Sequence, residues 1–270
     1  MPTIDQHLTA ACDSAMDDYL ALSLLTDAKI NLPIARSFHL PEVDAFTVIA
    51  MSLSRGGDSS TTAPEDRCHR IRHRLSRRFG YRIPSLLTPE WATILVPATS
   101  GSAFEAEELV SELATAAGVP ATSVALESTT QNLPDVATTA HELLDVAVRL
   151  RKPPCLYRFE DLAVEYQVTR PGPGRDQLVS LLAPLNESPE LLHTLIELVS
   201  NQFDRKKTAR LLYVHPNTVD YRLKHIVRLT GLSMNAESQW RLYAALVASS
   251  FASSVPIMRE TFGSDRVSTG

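Results

Sequence analysis

The sequence predicts an α+β chain: a helical lead, a small α/β layer and an all-helical C-terminal part. Three observations predict it. Short apolar runs rich in β-formers alternate with amphipathic helical patterns between about residues 40 and 165. A stretch dense in proline and glycine follows, VTRPGPGR over 168–175, with the composition of a linker. Beyond it, every periodic stretch keeps the 3.6-residue repeat of a helix. The boundaries that result are a helical segment over 1–39, an α/β domain over 40–165, a linker over 166–176 and a helical domain over 177–270.

Taken in order, Leu8, Ala11, Cys12, Ala15, Tyr19, Leu22 and Leu25 or Thr26 recur at three- and four-residue steps. Residues 8–30 therefore read as an amphipathic helix that packs or dimerises through that face. Pro33 stops it, because the residue before a proline disfavours helix. Residues 45–51 (AFTVIAM) form the first strand, and the polar, glycine-bearing run 54–62 is a loop. Pro64 opens a helix to Phe79 with Cys68, Ile71, Leu75 and Phe79 on one face. Residues 92–96 (ATILV) make a second strand. A helix over 105–117 carries Glu105, Glu107 and Glu108 in its first turn, where the helix dipole favours acids. A weaker strand over 123–126, a helix over 136–150 and an edge strand over 156–159 complete the layer, with helices expected on one face of the sheet. The C-terminal helices are expected over 177–185, 189–200, 205–212, 216–229 and 235–252.

Composition narrows the function classes. At 270 residues and 44% hydrophobic, the chain can bury about two domain cores. Three scattered cysteines, Cys12, Cys68 and Cys155, do not make a disulfide framework and fit a reducing cytoplasm. The N-terminus lacks the basic and apolar regions of a signal peptide, and no apolar run approaches a membrane span. A soluble cytoplasmic protein is expected. The net charge of −5 hides a split: residues 201–228 hold seven Lys/Arg against two Asp, a local charge of +5 that leaves −10 for the remainder. An acidic body with one basic face can bind nucleic acid locally.

That basic stretch, TARLLYVHPNTVDYRLKHIVRLTG over 208–231, reads as helix, turn and helix. Asp204 caps the first helix and Ala209 permits a close crossing. Leu211 and Leu212 point to the core. Pro216 opens the second helix, and Val219, Leu223, Ile226 and Thr230 form its buried stripe. Gly231 ends it in a left-handed cap. The opposite face offers Asn217, Thr218, Tyr221 and Arg222 for reading base edges in the major groove. Arg205, Lys206, Lys207, Arg210, Lys224, His225 and Arg228 are placed to hold phosphates. Asp220 either accepts from a cytosine or pairs internally.

Residues 191–245 resemble the C-terminal DNA-binding domain of the PucR/CdaR transcriptional regulators. The resemblance rests on T-A-x-x-L (Thr208, Ala209, Leu212), H-x-N-T (His215, Asn217, Thr218), Y-R-L (Tyr221, Arg222, Leu223) and L-T-G-L (Leu229 to Leu232). Leu192, Thr194 and Leu195 match the family's leading helix, whereas Asp220 departs from a position usually basic or neutral. The resemblance implies a sequence-specific regulator of transcription that binds double-stranded DNA; a homodimer or higher oligomer is expected because a lone helix-turn-helix makes few base contacts. The resemblance also implies a degenerate GGDEF-like, ferredoxin-like domain upstream that senses, dimerises or merely spaces.

The alternative is an enzyme, a diguanylate cyclase. The one Gly-Gly-Asp, at 56–58, lies in the loop after the first strand. The hairpin region where an active cyclase carries that motif, residues 81–97, lacks it. No catalytic residue, metal site or cofactor is expected, and no effector can be named. His69 and His73 have metal-pair spacing beside Cys68, but Arg67, Arg70, Arg72, Arg74, Arg77 and Arg78 crowd them and repel a cation. A solvated basic face is the expectation there.

Overall fold

The computed structural model describes residues 15–26, 43, 45–53, 64–98 and 105–252. The chain divides into two compact units, Met1–Ala163 and Val164–Gly270. The fold is α+β.

The first unit is built on a five-stranded sheet. Helix α1 covers residues 15–26. It is followed by β1 (Ala45–Leu53), α2 (Pro64–Phe79), β2 (Ser85–Leu87), β3 (Trp91–Pro97), α3 (Ala106–Ala117), β4 (Ala121–Thr129), α4 (Leu133–Arg149) and β5 (Leu156–Tyr157). The strand order is β2-β3-β1-β4-β5. The first four strands are antiparallel neighbours and β5 joins β4 in parallel. Within β1-α2-β2-β3-α3-β4 this order is the split-βαβ, ferredoxin-like connectivity.

Alternation along β1 gives the sheet two apolar faces. Ile49, Met51 and Leu53 join Ile94 and Ala125 in a cluster with Ile71 and Leu75 of α2 and Leu109 and Leu113 of α3. Phe46, Val48 and Ala50 are equally buried on the other side, where α4 packs against β1 and β4. Helices therefore cover both faces, not one as expected. A nearly continuous apolar β1, rather than one that alternates with polar residues, is the sequence signature of that double cover.

Two expectations about the helical lead and the linker are corrected. In α1 the buried residues are Leu20, Ala21, Leu24 and Leu25, while Ala15, Tyr19 and Leu22 of the expected face are exposed. The phase is set electrostatically as well as by burial: Asp18 accepts from Arg72 at 2.7 Å and Asp17 from Arg82 at 3.1 Å. The proline- and glycine-rich stretch is mostly helical. Helix α5 (Phe159–Thr169) ends inside it, and α6 (Pro173–Leu182) begins at its second proline. Pro173 sits in the first turn, where a missing N–H costs nothing. Only residues 170–172 lie between the helices, and the division into units falls within α5. Gly56, Gly57 and Asp58 lie outside the described residues.

The second unit is helical: α6, a 3-10 turn (Ala183–Leu185), α7 (Pro189–Ser200), α8 (Arg205–Leu211), α9 (Pro216–Thr230) and α10 (Ala236–Ala252). Its core gathers Leu182, Leu185, Leu191, Leu195, Leu198, Ala209, Val219, Leu223, Ile226, Leu232, Leu242 and Ala245. Tyr243 on α10 donates to Glu165 at 2.6 Å, which ties the end of α5 to this core.

Candidate nucleic-acid interface

Helices α8 and α9 are held against α7 by small residues and short links. Asp204 caps α8 through the Lys207 N–H at 2.9 Å. That bond, aided by neighbouring cations, holds its carboxyl below the usual range. Thr208 and Ala209 are buried where α8 meets α9. Leu211, expected in the core, is 50% exposed. The buried positions of α8 are Thr208 and Ala209, and Leu212, also expected in the core, is half-buried at the cap.

The turn after α8 is closed by main-chain bonds alone. Val214 N–H donates to Ala209 C=O at 3.0 Å and Tyr213 N–H to Arg210 C=O at 3.2 Å. This is a Schellman pair with Tyr213 in the left-handed region, φ 55°. His215 then caps α9 by accepting the Asn217 N–H on Nδ1 at 3.2 Å. Gly231 closes α9 at φ 69°. Val219, Leu223 and Ile226 bury the inner stripe, while Thr230 is half-buried and bonds back to Ile226 C=O at 2.8 Å.

The face expected to read bases divides into open and tethered side chains. Asn217 is exposed, Tyr221 is 69% exposed and Thr218 is half-buried. Arg222 is tethered: its Nη1 donates to Thr194 Oγ1 at 3.0 Å, and Thr194 is fully buried on α7. That bond pins α9 to α7. His225 is half-buried, with Nε2 2.8 Å from Arg228 Nη2 and its ring edge-on to Tyr221. That contact sets its ring against the Arg228 guanidinium. Asp220 pairs internally with Arg205 at 3.1 Å, a cross-link from α9 to α8. Among the described residues, Lys206, Lys207, Arg210 and Lys224 are exposed and form no salt bridge.

Residues 191–248, from α7 into α10, match the family model of the PucR C-terminal helix-turn-helix domain. Residues 191–248 of the second unit form a PucR-type helix-turn-helix domain. Through it the chain is a DNA-binding regulator of transcription. The chain is also similar to the crystal structure of a regulator of polyketide synthase expression from Bifidobacterium adolescentis. The identity is 19%, covering 88% of this chain and 93% of that one at a TM-score of 0.42. No curated protein matches the chain significantly.

The other basic stretch behaves differently. Arg72 pairs with Asp18, Arg74 with Glu112, and Arg78 with both Glu108 at 2.6 Å and Glu112 at 2.8 Å. The expected solvated face on α2 is thus largely a set of ion pairs to α1 and α3. Burial pushes the Cys68 thiol up, away from a reactive thiolate. No group of three metal-ligating side chains occurs among the described residues.

Sequence reasoning missed the part played by Thr194, left the internal pairing of Asp220 as one of two alternatives without naming its partner, and placed Tyr213 in the turn without its left-handed conformation. Thr194 reads as an ordinary helical threonine, and its pairing with Arg222 spans 28 positions. The Arg205–Asp220 link depends on the crossing of α8 and α9. Tyr213 carries no glycine to announce a left-handed turn.

Proposed function

We propose that the protein is a sequence-specific regulator that reads the major groove with the N-terminal half of α9, as a homodimer. The observation that carries this reading is the contrast on one small unit. Exposed Asn217 and Tyr221 with half-buried Thr218 stand beside four exposed cations that form no salt bridge, on a chain whose net charge is −5. Unneutralised cations release counterions from DNA, and Asn can form a bidentate pair with adenine. Asn217, Thr218 and Tyr221 read bases. Lys206, Lys207, Arg210, Lys224 and Arg228 hold phosphate, with His225 supporting Arg228. Arg222 positions α9, and Arg205 shares its charge with Asp220.

A lone recognition helix makes few base contacts, so two half-sites about one helical turn apart are the expected remedy. The first unit supplies sensing or dimerisation as a GGDEF-like domain. Its ferredoxin-like strand order supports that reading, and the β2–β3 hairpin turns on Thr88, Pro89 and Glu90 with no glycine. Cytoplasmic placement follows from the DNA target; no helix among the described residues is long and apolar enough to cross a membrane.

Selection of bound duplexes from a random library tests the reading. A defined motif with paired half-sites is expected, and Asn217→Ala relaxes one position of it. An unchanged motif in that variant would remove Asn217 from base readout, and light scattering that shows a monomer on a single half-site would remove the dimer.

A further inference from the structure

We propose that Tyr213 contacts the sugar–phosphate backbone of duplex DNA, an inference that rests on the reading of the helical unit as a DNA binder. Tyr213 occupies the left-handed region at φ 55°. A side chain there costs roughly 1 kcal/mol relative to glycine. The two hydrogen bonds that close the turn use main-chain atoms only, so glycine would close it equally well. Gly80, Gly118 and Gly231 hold the same conformation after α2, α3 and α9.

Nothing within the described protein offsets the cost at Tyr213. Phe203 is also left-handed, at φ 62°, but its ring packs on the helical core. Arg151 and Gln202 are left-handed too, yet their polar ends are solvated in the exposed state. Tyr213 instead leaves a whole aromatic ring in water, 96% exposed, where the other exposed large apolar side chains range from 40% to 69%. Neither backbone geometry nor packing accounts for an aromatic at this position.

Its neighbours indicate the ligand. Tyr213 lies between Arg210 at the end of α8 and the His215 cap of α9, with Asn217 in the following turn. Arg210, Lys206 and Lys207 on the same short helix are exposed and form no salt bridge, with the Asp204 cap near them. A phenol there can donate its O–H to a phosphate oxygen while the ring covers a deoxyribose. Such contacts fix register and carry no sequence information.

The test compares the full-length parent with Y213G, Y213N and Y213F on short duplexes of mixed sequence, by fluorescence anisotropy across a salt series, alongside thermal midpoints. Glycine and asparagine both tolerate the left-handed region. Both variants are expected to bind roughly 10-fold more weakly, at a midpoint equal to or above the parent's, and Y213F roughly 3-fold more weakly through loss of the O–H. The loss is uniform across sequences. Parental affinity in both Y213G and Y213N overturns the contact, as does weakening that only tracks a fall in midpoint. A parent with no salt-dependent DNA binding instead removes the underlying reading, and the contact with it.

Discussion

Helix α2 and the α8–α9 pair both gather cations, and they dispose of that charge in opposite ways. On α2, Arg72, Arg74 and Arg78 are matched by Asp18, Glu112 and Glu108, carboxylates delivered by the helices on either side. On α8–α9, one cation of the cluster is matched, Arg205 by Asp220, and Lys206, Lys207, Arg210 and Lys224 are not. Local composition is similar; the neighbours differ. A basic run becomes a candidate nucleic-acid surface where the fold leaves most of its cations without salt bridges. Where acids are supplied, the same arginines are mortar between helices.

The largest expected effect follows directly. The triple variant K206A/K207A/R210A is expected to lose roughly 30- to 100-fold in DNA affinity and to reduce the salt slope by about 2.7, with one counterion set lost per phosphate contact. The matched control, R74A/R78A, leaves that slope unchanged and lowers the thermal midpoint, because it breaks the Glu108–Glu112 network. Salt-titrated anisotropy and calorimetry read the two quantities separately. A shallower salt slope in the control would break the contrast between the two basic surfaces.

Acid sharpens the comparison between the units that carry these helices. His141 on α4 is buried, its Nε2 2.7 Å from Thr93 Oγ1 and its ring edge-on to Trp91. Burial pushes its pKa from 6.5 down to about 4. Between those values the unfolded chain binds a proton that the folded unit refuses. The stability is therefore fully present above about pH 6.5 and falls as pH drops toward 4, by roughly 3 kcal/mol at most. In the helical unit, the cap at Asp204 has a depressed carboxyl, so its contribution persists above the ordinary value of 3.8 and is lost only below it. The sheet unit is expected to soften first. The chain has two tryptophans, Trp91 in the first unit and Trp240 in the second. A W240F variant reports the sheet unit alone, and H141Q flattens its response between pH 6.5 and 4.5.

Next in size is the tether. Arg222→Ala removes the bond to Thr194 and leaves a buried hydroxyl whose remaining bond goes to Glu190 C=O. A loss of about 1–2 kcal/mol in stability is expected, with DNA affinity falling evenly over all sequences. A double-mutant cycle with T194V isolates the coupling between the two side chains. A change in sequence preference at R222A would return Arg222 to base readout.

These cases show what the sequence could and could not disclose. Helix α2 was legible to its end residues, because Pro64 opens it, Ile71 and Leu75 keep its stripe and Gly80 takes the left-handed cap. Helix α9 was legible for the same reasons, through Pro216, Val219, Leu223, Ile226 and Gly231. Strand β2, three residues long, gave no pattern, since period two needs more than three positions to register. The linker reading failed because Pro173 and Gly174 suit a first helical turn as well as a coil. At the candidate site, exposure of Asn217 and Tyr221 followed from helical periodicity, a local property. The fates of Arg222 and Asp220 depended on Thr194 and Arg205, partners fixed only when α7, α8 and α9 cross.

The smallest effect tests the one matched pair on the open surface. Arg205 and Asp220 are both about half exposed, so their bond contributes about 0.2–1 kcal/mol and is screened by salt. Asp220→Asn should therefore cost little stability. It also removes a negative charge that lies among the proposed phosphate-binding cations and releases Arg205 to join them. Affinity is expected to rise roughly 3-fold and the salt slope to steepen by about 0.9. Arg205→Ala, which leaves Asp220 unmatched, should move both quantities the other way. If D220N weakens binding instead, Asp220 reads a base, and the acid is there for specificity rather than for the α8–α9 crossing.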